Sequence, residues 1–354
     1  MTSSSQADVK RVRIPPGGFR RIAVLRLSSL GDVILALPVA HELARAFPGA
    51  RLEFWTKEEY ADVVRFDPAI AHVRSLERDA RRIEDLVSMS AELEECDLIV
   101  DLHGSLRTRL LSFRQHATVL RSASFRVGRA RWTRARWTRP GPLPHALERY
   151  ARALRPIGLA STEGPRMSAG PAAEAWAQEW LGSLAGAGSL VALCPGARHA
   201  TKRWPEEHWV QLHRSLRERG ARLVYLSLEC ERRSLSALAA SAEADPQVHW
   251  CTEPLARMAA VLSRSAAAVT HDSGLMHLAA ARATRVVALF GSTSPVLGFA
   301  PAGEGHVVLC RQEPCQPCTL HGLRRCPKGH FDCMRKLEPE QVVDALAHVG
   351  ALPA

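Results

Sequence analysis

The sequence has no apolar run long enough to cross a bilayer. Its longest aliphatic stretches are strand-sized, well short of the roughly 20 residues that a spanning helix needs. Aromatic residues are scarce, at 6% of the chain with three tyrosines. The stretch Met1 to Gly18 has no apolar segment of the kind a secretory signal carries. It is polar and then rich in Pro and Gly, and reads as a disordered tail (1–18) on a cytoplasmic protein. No G-x-G-x-x-G spacing follows the first apolar run, which disfavours a dinucleotide site. Acidic residues are missing altogether between Asp101 and Glu148.

What is present is enough for two domains. A chain of 354 residues exceeds one comfortable core. Strand-sized apolar runs alternate with amphipathic helical stretches from Arg20 to about Ala160, and again from Leu190 onward. The expected elements of the first set include a strand Ile22–Leu27 and a helix Val33–Phe47, loose in its first turn and restarting at Pro38. A helix Ile83–Glu94 and a buried strand Leu98–Leu102 follow. Residues 160–173 show no element and read as a linker. The second set includes a helix Ser234–Ala240, a strand Ala267–Thr270 and a closing helix Pro339–His348. Such alternation implies parallel sheets with right-handed crossovers.

The net charge of +11 is mostly arginine and favours an anionic partner. Ten arginines fall between Arg107 and Arg139, ending in the echo Arg131-Trp132-Thr133-Arg134-Ala135 and Arg136-Trp137-Thr138-Arg139-Pro140. Arg with Trp suits stacking on bases or an interface with anionic lipid. With no nucleic-acid-binding motif beside it, the stretch reads as a membrane-facing or anionic-acceptor surface, and no nucleic acid partner is expected.

Nine cysteines occur. Cys96, Cys194, Cys230 and Cys251 sit among apolar residues and read as buried thiols. Cys310, Cys315, Cys318, Cys326 and Cys333 crowd one segment, where a reducing compartment argues against disulfides. They read as packed thiols. A tetrahedral zinc site at Cys315, Cys318, Cys326 and Cys333 is the alternative.

Four motifs carry chemistry. Ser28-Ser29-Leu30-Gly31-Asp32 joins a strand to a helix, so its free N–H groups suit an anion or sugar oxygen. Asp32 is there either a helix cap or a functional carboxylate. Cys194-Pro195-Gly196 leads a buried strand into a basic loop containing Lys202, a flexible point charge suited to phosphate. Glu229-Cys230-Glu231 follows another strand and offers a carboxylate for ribose hydroxyls or for a helix start. In His271-Asp272-Ser273-Gly274-Leu275-Met276-His277 a strand again becomes a helix, with Gly274 allowing close approach and His277 one turn in.

In this order these motifs resemble bacterial lipopolysaccharide heptosyltransferases, glycosyltransferase family 9. Asp101-Leu102-His103-Gly104-Ser105-Leu106-Arg107 is similar to that family's strand-end motif, and the stretch Cys315 to Met334 to a segment many members carry. The resemblance runs from about Arg20 to His348. It implies an α/β GT-B fold, two Rossmann-like parallel-sheet domains facing an interdomain cleft. The expected division is 19–160 (acceptor side), 161–173 (linker), 174–335 (donor side, with the Cys-rich segment 310–333) and 336–354 (final helix). It also implies inverting transfer from ADP-heptose to the phosphorylated lipid A-core at the inner leaflet, with neither metal nor cofactor. Asp32 would be the general base. Lys202, Glu231, Asp272, Ser273, Gly274, Leu275 and His277 would bind the donor, and Ser29, Gly31, Arg107, Arg126 and Arg129 the acceptor. The chain departs at Ser227-Leu228-Glu229, where the family often has Gly-Gly-Pro, which leaves the exact donor open. A different nucleotide-sugar transferase or an epimerase on the same scaffold is one alternative, and a nucleic-acid-binding protein acting through the Arg/Trp stretch is a further one.

Overall fold

Strands covered on both faces need aliphatic side chains at every position, and the runs identified above are such strands. The computed structural model describes residues 11–76, 90–113, 115–123, 133, 141–161, 163–184 and 186–352. The chain divides into two compact units, Met1–Ser124 with Ala146–Pro165, and Phe125–His145 with Arg166–Ala354.

The first unit holds five parallel strands: β1 (Arg21–Leu25), β2 (Arg51–Lys57), β3 (His72–Leu76), β4 (Leu98–Asp101) and β5 (Thr118–Arg121). Their order is β3-β2-β1-β4-β5, with Leu25 paired to Trp55 on one side and Asp101 on the other. The second unit holds β6 (Leu190–Cys194), β7 (Arg222–Leu226), β8 (Val248–Cys251), β9 (Ala267–His271), β10 (Arg285–Phe290) and β11 (Val307–Cys310). Its order is β11-β10-β9-β6-β7-β8, again all parallel. Each order reverses direction once, between β1 and β4 and between β6 and β9. In open α/β sheets, ligands bind beyond the carboxyl ends of the strands at such a reversal.

Several expectations are corrected. The helix after β1 runs unbroken from Leu30 to Ala46 with Pro38 inside it. Val33 to Ala40 are buried throughout, and that packing offsets the backbone hydrogen bond that the proline removes. The stretch 160–173 is not free of structure to its end. Gly170, at φ +80°, turns the chain into a helix Pro171–Gly182 with proline in the first turn, where its missing N–H costs nothing. Glu174 on that helix is held by Arg264 and Arg282. The helix expected at Ser234–Ala240 runs from Ser236 to Glu243, and a separate short helix, Glu229–Arg233, precedes it. Cys96, Cys194 and Cys251 are buried, but Cys230 is exposed, because it faces outward on the short helix Glu229–Arg233. Of the helix expected at Ile83–Glu94, residues 83–89 lie outside the described residues. The closing helix Pro339–His348 adds Val342, Val343, Ala345 and Leu346 to the second unit's core. Among the described residues no helix is long and apolar enough to cross a membrane.

Candidate active site

In the first unit, the reversal point is occupied by Asp32. β1 ends at Leu25, and Arg26 is the first residue beyond it. The Arg26 guanidinium donates to the Leu102 carbonyl at the end of β4 over 2.6 Å and pairs with Asp32 Oδ1 at 2.8 Å. Tyr150, on the helix Ala146–Ala151, donates its hydroxyl hydrogen to the same oxygen at 2.6 Å. The guanidinium lies over the Tyr150 ring, 5.3 Å from its centroid. Asp32 Oδ2 accepts from the Ser29 N–H at 3.2 Å and from its hydroxyl at 2.9 Å. Burial alone would raise the pKa of Asp32, but Arg26, Tyr150 and Ser29 outweigh it and hold the carboxyl at about 2. Asp32 is thus both a cap for the helix start and an ionised group at the strand edge. Burial and the charge of Asp32 push the Tyr150 hydroxyl well above its ordinary range, so it stays a donor.

Ser29 is exposed and Gly31 is buried in the helix behind it. On β4, Asp101 is buried and accepts from the N–H groups of His103 and Gly104 at 3.0 and 2.9 Å, so it shapes the turn. Gly104 sits at φ +63°, a conformation that favours glycine. Burial and Arg26 lower His103 to about 4, leaving a neutral imidazole. Arg107 is half-buried on the helix Leu106–Leu111. Arg126, Arg129 and the Arg/Trp echo apart from Thr133 lie outside the described residues.

In the second unit, Lys202 and Asp272 meet across the reversal between β6 and β9. The Lys202 ammonium donates to the Asp272 backbone carbonyl at 2.9 Å and to its carboxylate at 2.7 Å. Thr293, beyond β10, donates its hydroxyl hydrogen to the same carboxylate oxygen at 2.7 Å. An ammonium has three donors, so these two contacts leave one N–H for a phosphate. Ser273 precedes the helix Gly274–Ala281 and makes no side-chain cap to it. The Ser273 hydroxyl is buried with no hydrogen-bond partner among the described residues. Ser273, Gly274 and Leu275 are half-buried, while His277 is buried. A helix start of this kind presents N–H groups and positive potential to an anion.

Two neighbours complete this edge. His271 accepts the Trp204 N–H on Nε2 at 2.8 Å, and its Nδ1 faces the Gly196 carbonyl at 3.2 Å. Burial lowers it to about 4, so it is a neutral brace between β9 and the Lys202 loop. Glu231 lies against Gly196: a Cβ there would stand 2.1 Å from Glu231 Oε2. The same oxygen accepts the Leu228 N–H at 3.0 Å.

The Cys-rich segment buttresses this edge. Gln316 is buried and donates to the carbonyls of Phe290, Gly291 and Thr293. Leu323 exchanges hydrogen bonds with Thr201, next to Lys202. All nine cysteines are free. Cys315 Sγ lies 3.8 Å from His330 Nε2, and burial pushes the Cys333 thiol up to about 12. Among the described residues no three His, Cys, Asp or Glu side chains are gathered to hold a metal ion. Through Gln316 and Leu323 the segment forms a strap over this edge.

Sequence reasoning missed Arg26, Tyr150, Thr293 and Gln316. Arg26 and Thr293 carry the same signal as the motifs that were found, a polar residue just past a buried strand. Tyr150 and Gln316 carry none, because their partners are more than 20 positions distant or further.

A model of glycosyltransferase family 9 (heptosyltransferase) matches residues 86–325. Lipopolysaccharide heptosyltransferase 1 of Pseudomonas aeruginosa is 31% identical over 358 aligned positions, covering 92% of this chain and 97% of that protein. Among solved structures, the glycosyl transferase family 9 protein of Veillonella parvula shares the fold with a TM-score of 0.78 at 22% identity, over 93% of this chain and 97% of that one. The ADP-heptose LPS heptosyltransferase II of Escherichia coli does so at 0.70 and 18% identity, over 93% and 98%.

Proposed function

We propose, from the premise that this chain belongs to glycosyltransferase family 9, the heptosyltransferases, that it moves heptose from ADP-heptose to the inner core of lipopolysaccharide. It is a glycosyltransferase of the GT-B class; donor, acceptor and mechanism are our reading. The observation that carries it is the coincidence of two independent patterns. Asp32, Lys202 and Asp272, which match the family's motifs, stand at the reversal points of the two sheets.

In this reading Asp32 removes the proton from an acceptor hydroxyl as that oxygen attacks the anomeric carbon of the donor. The bond from that carbon to the phosphate oxygen breaks, and ADP leaves with the electron pair. Attack opposite the leaving group inverts the centre, through a transition state with oxocarbenium character. Lys202 and the N–H groups at Ser273 and Gly274 take up the charge that develops on ADP, so the chain supplies positive charge without a divalent ion. Glu231 holds the ribose hydroxyls. Leu275 and His277 line the same turn, and Ser29, Gly31 and Arg107 border the acceptor.

The acceptor is a phosphorylated lipid, and the first unit has a face suited to its surroundings. Leu106, Leu110 and Phe113 are 75%, 55% and 67% exposed; Leu106 and Leu110 share one side of the helix Leu106–Leu111, and Phe113 follows just past its end. Arg109 is exposed beside them. Apolar side chains flanked by arginine suit an anionic lipid surface.

The test is a mass-spectrometric screen of ADP-, UDP- and GDP-sugars against truncated core acceptors, with and without EDTA. Transfer from ADP-heptose with release of ADP, unaffected by EDTA, supports the reading. Turnover of a UDP-sugar without any acceptor would replace it with an epimerase.

A further inference from the structure

We infer that Asp32 takes the acceptor's proton on Oδ2, in the place that the Ser29 hydroxyl occupies, while Tyr150 and Arg26 keep Oδ1 fixed. This rests on the assignment of Asp32 as the base, and adds which oxygen acts and which residues aim it.

A carboxylate offers about four lone-pair sites. In Asp32 four donors fill them: Tyr150 and Arg26 on Oδ1, and the Ser29 N–H and hydroxyl on Oδ2. A base with every site occupied cannot receive a proton, so one donor has to yield. The four are not equally replaceable. Tyr150 is 4% exposed, and moving it away would strand a buried hydroxyl without a partner. Arg26 is tied to the Leu102 carbonyl and stacked over the Tyr150 ring, so its release breaks three contacts together. The Ser29 N–H is backbone at the entrance to a helix. Only the Ser29 hydroxyl is both exposed and free to turn about a single bond, and water satisfies it once it has turned. An arriving sugar hydroxyl therefore replaces it on Oδ2.

The arrangement also explains why so weak a carboxylate serves. The sugar hydroxyl takes over the Ser29 hydroxyl's place as donor, while the water that the acceptor excludes no longer supports the ionised form at the moment a proton is offered. Meanwhile the donors on Oδ1 and the Ser29 N–H hold the plane of the carboxylate. The remaining lone pair then points in one direction, which is the condition for a near-attack geometry.

The test compares Ser29→Ala with Tyr150→Phe, each measured for kcat and acceptor KM with ADP-heptose and a deacylated core acceptor, for ADP affinity and for melting temperature. Asp32→Asn is the reference. We expect Ser29→Ala, at a residue that also borders the acceptor, to act mainly on acceptor KM and to lose clearly less in kcat than Tyr150→Phe, because the Ser29 hydroxyl leaves Oδ2 in any case. We expect Tyr150→Phe to lose about tenfold or more in kcat with acceptor KM and ADP affinity little changed, and to melt somewhat lower because the buried Asp32 carboxylate loses a donor. Arg26→Gln, which removes the other Oδ1 donor, should lose kcat likewise and bring an acid limb into the pH–rate profile at higher pH than in the parent. A Ser29→Ala loss as large as that of Tyr150→Phe, or a Tyr150→Phe variant with the parent's kcat, overturns the inference. An Asp32→Asn variant with nearly full kcat overturns the base assignment itself, and this inference with it.

Discussion

Tyr150 donates its hydroxyl hydrogen to Asp32 across 118 positions of sequence, at 2.6 Å. The second unit repeats the device: Thr293 donates its hydroxyl hydrogen to Asp272 at 2.7 Å. Each aspartate is also paired with a cation from a strand end, Asp32 with Arg26 at the end of its own strand β1 and Asp272 with Lys202 beyond the neighbouring β6. The two sheets therefore build similar clusters at their reversal points. They differ in what is left over. In the first unit the carboxylate keeps an exposed edge at Ser29. In the second the ammonium keeps an N–H, and the carboxylate serves to hold it.

Lys202→Met should lower ADP affinity by about tenfold or more and also lower the melting temperature. The affinity loss follows from the missing phosphate contact. The stability loss follows because Asp272 keeps a partly buried charge without its cation. Adding Asp272→Asn should restore much of the melting temperature but not the affinity. Calorimetric ADP titrations and thermal melts of the single and double variants separate the two effects.

Gly196→Ala should act through Glu231. The new methyl would collide with the Glu231 carboxylate and push it from its place against the Pro195-Gly196 turn. If Glu231 holds the ribose, Gly196→Ala and Glu231→Gln should each weaken ADP binding, and the double variant should be little worse than either. Fully additive losses in a double-mutant cycle would mean that the two residues do not act on the nucleotide together.

Stability should fall on mild acidification, with His271 a principal cause. Its folded-state pKa, about 4, lies below the ordinary 6.5 because the ring is buried. The unfolded chain therefore binds a proton first as pH drops. The stability held by the neutral ring is complete above 6.5 and is lost progressively toward 4. From pH 7 to 5 this amounts to about 2 kcal/mol, at roughly 1.4 kcal/mol per unit. His103 shifts in the same direction for the same primary cause. Urea midpoints at the two pH values should converge in His271→Gln relative to the parent, and an unchanged gap would remove His271 as a source.

Much of this was legible in the sequence, for a physical reason. Central parallel strands must be aliphatic throughout, so Ile22–Leu25, Leu190–Cys194 and Ala267–Val269 stood out, and the polar residues just beyond them marked the ligand edge. Asp32, Lys202 and Asp272 were found this way. What was hidden depends on distance in the chain. Nothing local in Ala146–Ala151 says that Tyr150 will reach Asp32, and nothing in Cys315-Gln316-Pro317-Cys318 says that Gln316 will hold three carbonyls at and just beyond the end of β10. The cysteines drew attention because thiols suggest metal, whereas the glutamine between them ties the strap to the edge that carries Thr293. Pro38 misled because a proline inside a helix is costly alone but tolerable where burial surrounds it.

The most direct measurement is the pair of constants kcat and ADP Kd for Asp32→Asn, taken beside the parent chain. General-base catalysis contributes about 10²–10⁴-fold, and Asp32 belongs to the first unit while the residues proposed to bind the nucleotide belong to the second. The variant should therefore lose 10²-fold or more in kcat and bind ADP within about twofold of the parent. Turnover within about tenfold of the parent, with ADP binding intact, would contradict the assignment of Asp32 as the base.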